Sequence, residues 1–185
     1  MAHRRTVTGL GLLLSVLALS AAAGAADKEV YVGTVAVGAG AQATSTPLTL
    51  TIREYTPDER VMGLADLLHR KGHPAAVAEM ATGEAGSLQL GGGPSFKVTV
   101  IRQEKTPTGR LLRVITERTM HAAAAGSPPP LPSDAVGYLE LKLGAAGEGS
   151  GRLLPAIRVV FDAEGFLAPE SLGPEWPVSG VKPGK

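Results

Sequence analysis

The densest group of reactive side chains lies between residues 97 and 118, where Lys97, Arg102, Lys105, Arg110, Arg113 and Arg118 stand against only Glu104 and Glu117. Six cations and two acids on a strand-like pattern can present a positive face, which attracts an anionic surface, carbohydrate or protein. Lys97, Lys105 and Arg113 are the candidate contacts of this basic binding face. Alternation places them together, opposite the apolar Phe96, Val98 and Val100. The same cations also serve a plainer end, since charge along a strand discourages edge-to-edge pairing.

Other chemistries are thinner. His69 and His73 have the four-residue spacing that sets two metal ligands on one helix face. Gly72 and Pro74 interrupt that helix, however, and a zinc site needs at least three protein ligands, so the pair reads as a helix-end residue and a linker histidine. His121, beside a strand end near Glu117, reads as a surface histidine. Residues 144–151 are glycine-rich but lack the Lys-Ser/Thr ending and open no helix, which makes a hairpin loop and not a phosphate cradle. Asp162 and Glu164 flank a turn at Gly165 and fall short of the oxygen set calcium requires.

No Gly-x-Ser-x-Gly elbow occurs, and Ser127, Ser133, Ser150 and Ser171 have no histidine nearby in sequence. A pair for glycoside hydrolysis is not selectable from 17 acids without geometry. No catalytic, cofactor or metal residue is assigned, and no cofactor is expected.

The first residues speak of destination instead. His3, Arg4 and Arg5 precede an apolar run over residues 10–20, and Ala23-Gly24-Ala25 supplies small residues for cleavage. This is a secretory signal over residues 1–26, too short in its apolar part to span a bilayer, and it implies a secreted or periplasmic protein with no transmembrane segment after cleavage. The signal takes two of the 18 Lys+Arg and none of the 17 acids, which leaves 16 against 17. A near-neutral remainder offers no overall field for nucleic acid. With no Cys, the exported chain has neither disulfides nor a cysteine lipid anchor, and a hydrophobic core must carry its stability.

The elements that would position these side chains are mostly strands. Tyr31, Val35 and Val37 alternate with Val30, Val32 and Thr34 over residues 29–37, and Leu48, Leu50 and Ile52 alternate with threonines. Thr56-Pro57-Asp58-Glu59 predicts a capping box at the head of a helix that ends by Gly72, and a short helix over residues 74–81 completes a helical hairpin. A weak strand follows at 87–90. Residues 96–105 and 110–120 then predict a β-hairpin with a three-residue loop at 107–109 and Thr106 opposite Arg110. That register is favoured over a one-residue shift, which sets Arg102 against Arg113. The proline-rich stretch to Pro132, with its Pro129-x-x-Pro132 pattern, reads as a surface spacer. Strands at 135–143 and 152–162 and a short one near 166–168 follow, and residues 173–185 show no period apart from an anchoring Trp176.

The signal peptide, Thr56-Pro57-Asp58-Glu59-Arg60, the stretch ending Thr116-Glu117-Arg118, and Gly147-Glu148-Gly149-Ser150-Gly151 together resemble a group of uncharacterised secreted bacterial proteins. That resemblance implies no activity.

The expected fold is α+β and mainly β: about eight antiparallel strands in a curved sheet or small barrel, with a two-helix hairpin inserted between the second and third strands. A single domain spans residues 27–172, followed by an irregular tail at 173–185. The expected function is that of an exported, non-enzymatic binding or cell-envelope-associated module with an anionic envelope component or protein as partner. A small secreted hydrolase assembled in three dimensions and a barrel carrying an apolar ligand are the alternatives.

Overall fold

The computed structural model describes residues 28–38, 43–120, 130–161 and 167–184. The expected signal peptide, His121, Ser127, Pro129 and the turn expected at residues 162–165 lie outside these residues. Nine strands and two helices follow in the order β1 (Glu29–Val37), β2 (Thr44–Ile52), α1 (Asp58–Lys71), α2 (His73–Met80), β3 (Gly86–Leu90), β4 (Ser95–Thr106), β5 (Gly109–Thr116), β6 (Val136–Gly144), β7 (Gly149–Phe161), β8 (Leu167–Ser171) and β9 (Trp176–Pro183). Every pairing is antiparallel, as the short connections favour. β1 to β6 form a meander, β6 pairs with β7, and β9 bridges β7 to β1. Eight strands therefore close into a barrel, and β8 extends the far half of β7 outside it. Closure removes the open edges that a curved sheet would expose.

Period-two patterning fills the barrel. Tyr31 and Val35 of β1, Leu48 and Leu50 of β2, Leu88 of β3, Leu112 and Val114 of β5, Leu139 and Leu141 of β6, and Trp176 of β9 share one core at 0–2% exposure. Side chains so fully covered leave no water-sized space against them. Each buried aliphatic contributes about 1.5–3 kcal/mol, and in a chain without Cys this burial replaces disulfide bonds.

A second core lies outside the barrel wall. Leu64 of α1 and Ala76 and Met80 of α2 pack on Val100, Ile115, Tyr138, Leu154 and Ile157, the outward side chains of β4 to β7. One face of these strands thus serves the interior and the other serves the helical hairpin, which explains why they are apolar on both faces.

The β4–β5 hairpin does not take the expected register. Thr106 pairs with Gly109, Lys105 with Arg110 and Arg102 with Arg113, across a two-residue loop. The shorter loop sets this register from the turn, and a bulge between Val98 and Val100 reconciles it with the apolar pattern. Phe96 and Val98 point inward before it, and Ile101 points inward after it, so the inward parity switches from even to odd residues. The Arg102–Arg113 opposition is offset by acids: Arg102 bonds Asp58 at 2.8 Å and Arg113 bonds Glu104 at 2.9 Å.

Two further expectations are corrected. Thr56 does not cap α1; its hydroxyl accepts the Ile101 N–H at 3.0 Å, and its own N–H donates to the Ile101 carbonyl at 2.8 Å, so a strand-like bridge to β4 takes the cap's place. Residues 176–183, expected to be irregular, form the strand that closes the barrel. Trp176, Val178 and Val181 are buried along it, and the step from two to three residues between them falls at Gly180, whose φ of 61° makes a bulge there.

Candidate functional site

One end of the barrel carries its polar side chains. The first residue of β1, the loop after β2, the β4–β5 turn and the β6–β7 turn meet there, as the pairs Glu29 with Ile52, Thr106 with Gly109, and Gly109 with Gly144 require. Arg110 lies on the same face of β5 as the interior Leu112, so its guanidinium turns into the barrel mouth. The Glu29 carboxylate meets it. Oε2 accepts from Arg110 Nη2 at 2.9 Å and from the Tyr31 hydroxyl at 2.8 Å, while Oε1 accepts from the Tyr55 hydroxyl at 2.9 Å. Arg110 also donates to Tyr31 Oη, to Gln103 Oε1 at 3.3 Å and to Tyr55 Oη at 3.4 Å, and its guanidinium carbon lies 5.5 Å from the Tyr31 ring centroid.

The electrostatics follow from this arrangement. Burial by itself raises the Glu29 carboxyl, but the two tyrosine hydroxyls and Arg110 outweigh it and hold the group below the ordinary glutamate value. Burial, and then the Glu29 carboxylate, push Tyr31 up to about 12 and raise Tyr55 as well, so both phenols remain hydrogen-bond donors at neutral pH.

Two adjoining clefts of about 290 Å³ and about 350 Å³ open on this rim and share Thr106, Arg110 and Gly144. Lys142 lines the first and Lys105 the second; Lys105 pairs with Arg110 and shares its face of the sheet, whereas Lys142 pairs with Leu111 on the outer face. Both lysines are exposed. Neither has a hydrogen-bond or ion-pair partner among the described residues. Among the described residues no carboxylate lines either cleft, while Glu54 in the loop after β2 and Glu148 in the β6–β7 turn are exposed outside both.

The three residues singled out from the sequence do not form one face. Lys97 and Lys105 are eight residues apart on β4, about 27 Å along the strand. Lys97 Nζ donates to the Ala81 carbonyl at 2.7 Å and lies 3.9 Å from Glu117. It therefore helps to satisfy the C-terminal end of α2, as does Arg60, which donates to the Glu79 carbonyl at 3.3 Å. Arg113 faces outward and pairs with Glu104. Lys105 alone of the three stands at the rim. Glu29, Tyr31, Tyr55 and Lys142 carried no sequence signal, because their partner Arg110 is 55 to 81 residues from the first three and only barrel closure brings them together.

His73 is a separate cluster. As the first residue of α2 it donates from Nδ1 to Asp134 Oδ2 at 2.8 Å and accepts the Val159 N–H at Nε2 at 2.8 Å. The accepted backbone proton fixes the Nδ1–H tautomer. The bond from His73 holds the Asp134 carboxyl below its ordinary value, with burial acting against it. Both ring nitrogens are engaged, so the imidazole has no lone pair for a substrate or a metal. His69, on α1, is exposed and does not join it. Among the described residues no three His, Asp or Glu side chains gather at metal-binding separations, and no helix is long and apolar enough to cross a membrane.

Comparison of the chain with family models, with curated proteins and with solved structures returns no match to any of the three.

Proposed function

We propose that this chain is an exported, non-enzymatic binding module that takes an anionic group at the polar rim of its barrel. The observation that carries the reading is that Lys105 and Lys142, each without a protein partner among the described residues, line two adjoining clefts that share Arg110. Lysines without a protein partner keep their attraction for an incoming anion, whereas Lys97, Arg102, Arg113 and Arg118 each already face an acid. The filled barrel supports a surface module over an apolar-ligand carrier, because a carrier needs interior space that side chains at 0–2% exposure do not leave. The saturated imidazole of His73 likewise favours binding over hydrolysis. Export rests on the basic and apolar pattern of residues 1–26.

The test is an amide-resolved NMR titration of the chain from residue 27 with inorganic phosphate at constant ionic strength. Amides of residues 105–110 and 142–144 are expected to shift saturably. The shifts should vanish in a Lys105→Glu, Lys142→Glu double variant and persist in Lys71→Glu, a charge reversal on the exposed end of α1. Rim amides that stay still, or that shift equally in the double variant, overturn the reading.

A further inference from the structure

The donors at the rim converge on a single carboxylate, and that carboxylate belongs to the chain itself. Tyr31 from β1, Tyr55 from the loop after β2 and Arg110 from β5 come from three places up to 79 residues apart, and together they deliver three hydrogen bonds to the two oxygens of Glu29. A carboxylate has about four lone-pair directions in one plane, so three of them are met by a planar guanidinium and two hydroxyls. This is the donor set a receptor for a free carboxylate would present. Both hydroxyls stay protonated at neutral pH, which keeps them donors whatever anion is seated.

The tether on Glu29 is slight. It is the first residue of β1 and pairs on one side only, with Ile52 of β2. On the other side the contacts of β1 with the C-terminal strand end at Tyr31 and Pro183, with one further bond from the Gly184 N–H to the Val30 carbonyl at 2.7 Å. Glu29 lies beyond both. Its side chain is 32% exposed and Arg110 is 27% exposed, so the pair is reachable from solvent. Outward rotation of this one residue sacrifices no strand pairing beyond its own. It leaves Arg110, Tyr31 and Tyr55 as an open set of donors, of which Arg110 also lines both clefts.

We infer that Glu29 is an internal stand-in for the ligand: the rim is a carboxylate receptor, and a carboxylate-bearing ligand binds by displacing Glu29 from Arg110, Tyr31 and Tyr55. The inference rests on the rim being the recognition surface and adds the ligand class and the competition. A seated Glu29 lowers apparent affinity by the fraction of time the site is open, so if it is seated nine-tenths of the time its removal tightens binding about tenfold.

The experiment uses acetate as probe, at constant ionic strength against chloride, on the chain from residue 27 and on its Glu29→Ala variant. Acetate is expected to shift the ¹³C carboxyl resonance of Glu29 in the unsubstituted chain together with the rim amides, and to bind Glu29→Ala about tenfold more tightly. The gain should be lost when Arg110→Met is added. Rim amides that move while the Glu29 carboxyl stays still overturn the displacement and leave the rim reading standing. Acetate that moves neither overturns both. If Glu29→Ala does not fold, the carboxyl resonance of the unsubstituted chain decides alone.

Discussion

His73 with Asp134, and Glu29 with Arg110, are both carboxylates held by a cation-capable side chain far away in sequence, yet their hydrogen-bond accounts differ. At the His73 cluster one N–H meets one carboxylate and one backbone N–H meets the imidazole lone pair, and no donor is left over. At the rim, Arg110 and two tyrosine hydroxyls converge on a single carboxylate, and two lysines without a partner among the described residues line the clefts that share Arg110. A saturated cluster ties elements together, here the helical hairpin, the segment before β6 and the end of β7. A cluster with surplus donors beside a cleft has room for a partner. The contrast separates structural from recognition polarity without any appeal to residue type.

The largest expected effect falls on the saturated side. His73→Leu leaves the Val159 N–H without its acceptor, and Val159 is 1% exposed. An orphaned buried donor costs about 1–3 kcal/mol, so urea unfolding should show a loss of about 2 kcal/mol, with phosphate binding at the rim unchanged. A loss below about 0.5 kcal/mol, or a parallel loss of binding, would erase the distinction between the two clusters.

Arg110→Met comes next. It removes a partly exposed ion pair but leaves both tyrosines on Glu29, and pairs at such exposure are worth about 0–1 kcal/mol. The expected destabilisation is about 1 kcal/mol, smaller than at His73, together with complete loss of the anion-induced shifts. Lys105→Glu with Lys142→Glu should do less still to stability, within about 0.5 kcal/mol, while abolishing binding. A substitution pair that removes binding without cost in stability is what surplus donors demand, and a cost comparable to that of His73→Leu would mark the lysines as structural.

The two clusters were not equally legible in the sequence, nor were the elements that carry them. Strands such as β1 and β2, with one apolar residue in every two, and helices bounded by Pro57 and Gly72 are local statements, and the structure places them where periodicity does. The β4–β5 register is not local. Like-charge opposition argued against Arg102 facing Arg113, but Asp58 from α1 and Glu104 from within β4 neutralise the pair, and the bulge before Val100 has no residue signature. β9 was hidden for a related reason, because Pro177, Gly180 and Pro183 break a period that Trp176, Val178 and Val181 keep only when the bulge is known. The rim itself unites positions 29, 31, 55, 105, 110 and 142, which only barrel closure brings to one end.

The smallest effect is the most discriminating in form. Both clusters hold a carboxyl below its ordinary value, Glu29 from 4.5 and Asp134 from 3.8. A carboxylate with a depressed folded-state pKa contributes stability that is present above its unfolded value and lost as pH falls through the folded one. Stability should therefore decline as pH drops from about 5 towards 3. Glu29→Gln should flatten the upper part of that decline and Asp134→Asn the lower part, in line with their ordinary values. Trifluoroacetate, a carboxylate that stays ionised throughout this window and competes for the partners of Glu29 and not for those of Asp134, should flatten only the Glu29 component, because a displaced Glu29 titrates like a free glutamate in the folded chain. A decline that trifluoroacetate leaves unaltered would show Glu29 to be as firmly committed as Asp134, and the rim would then belong with the saturated clusters.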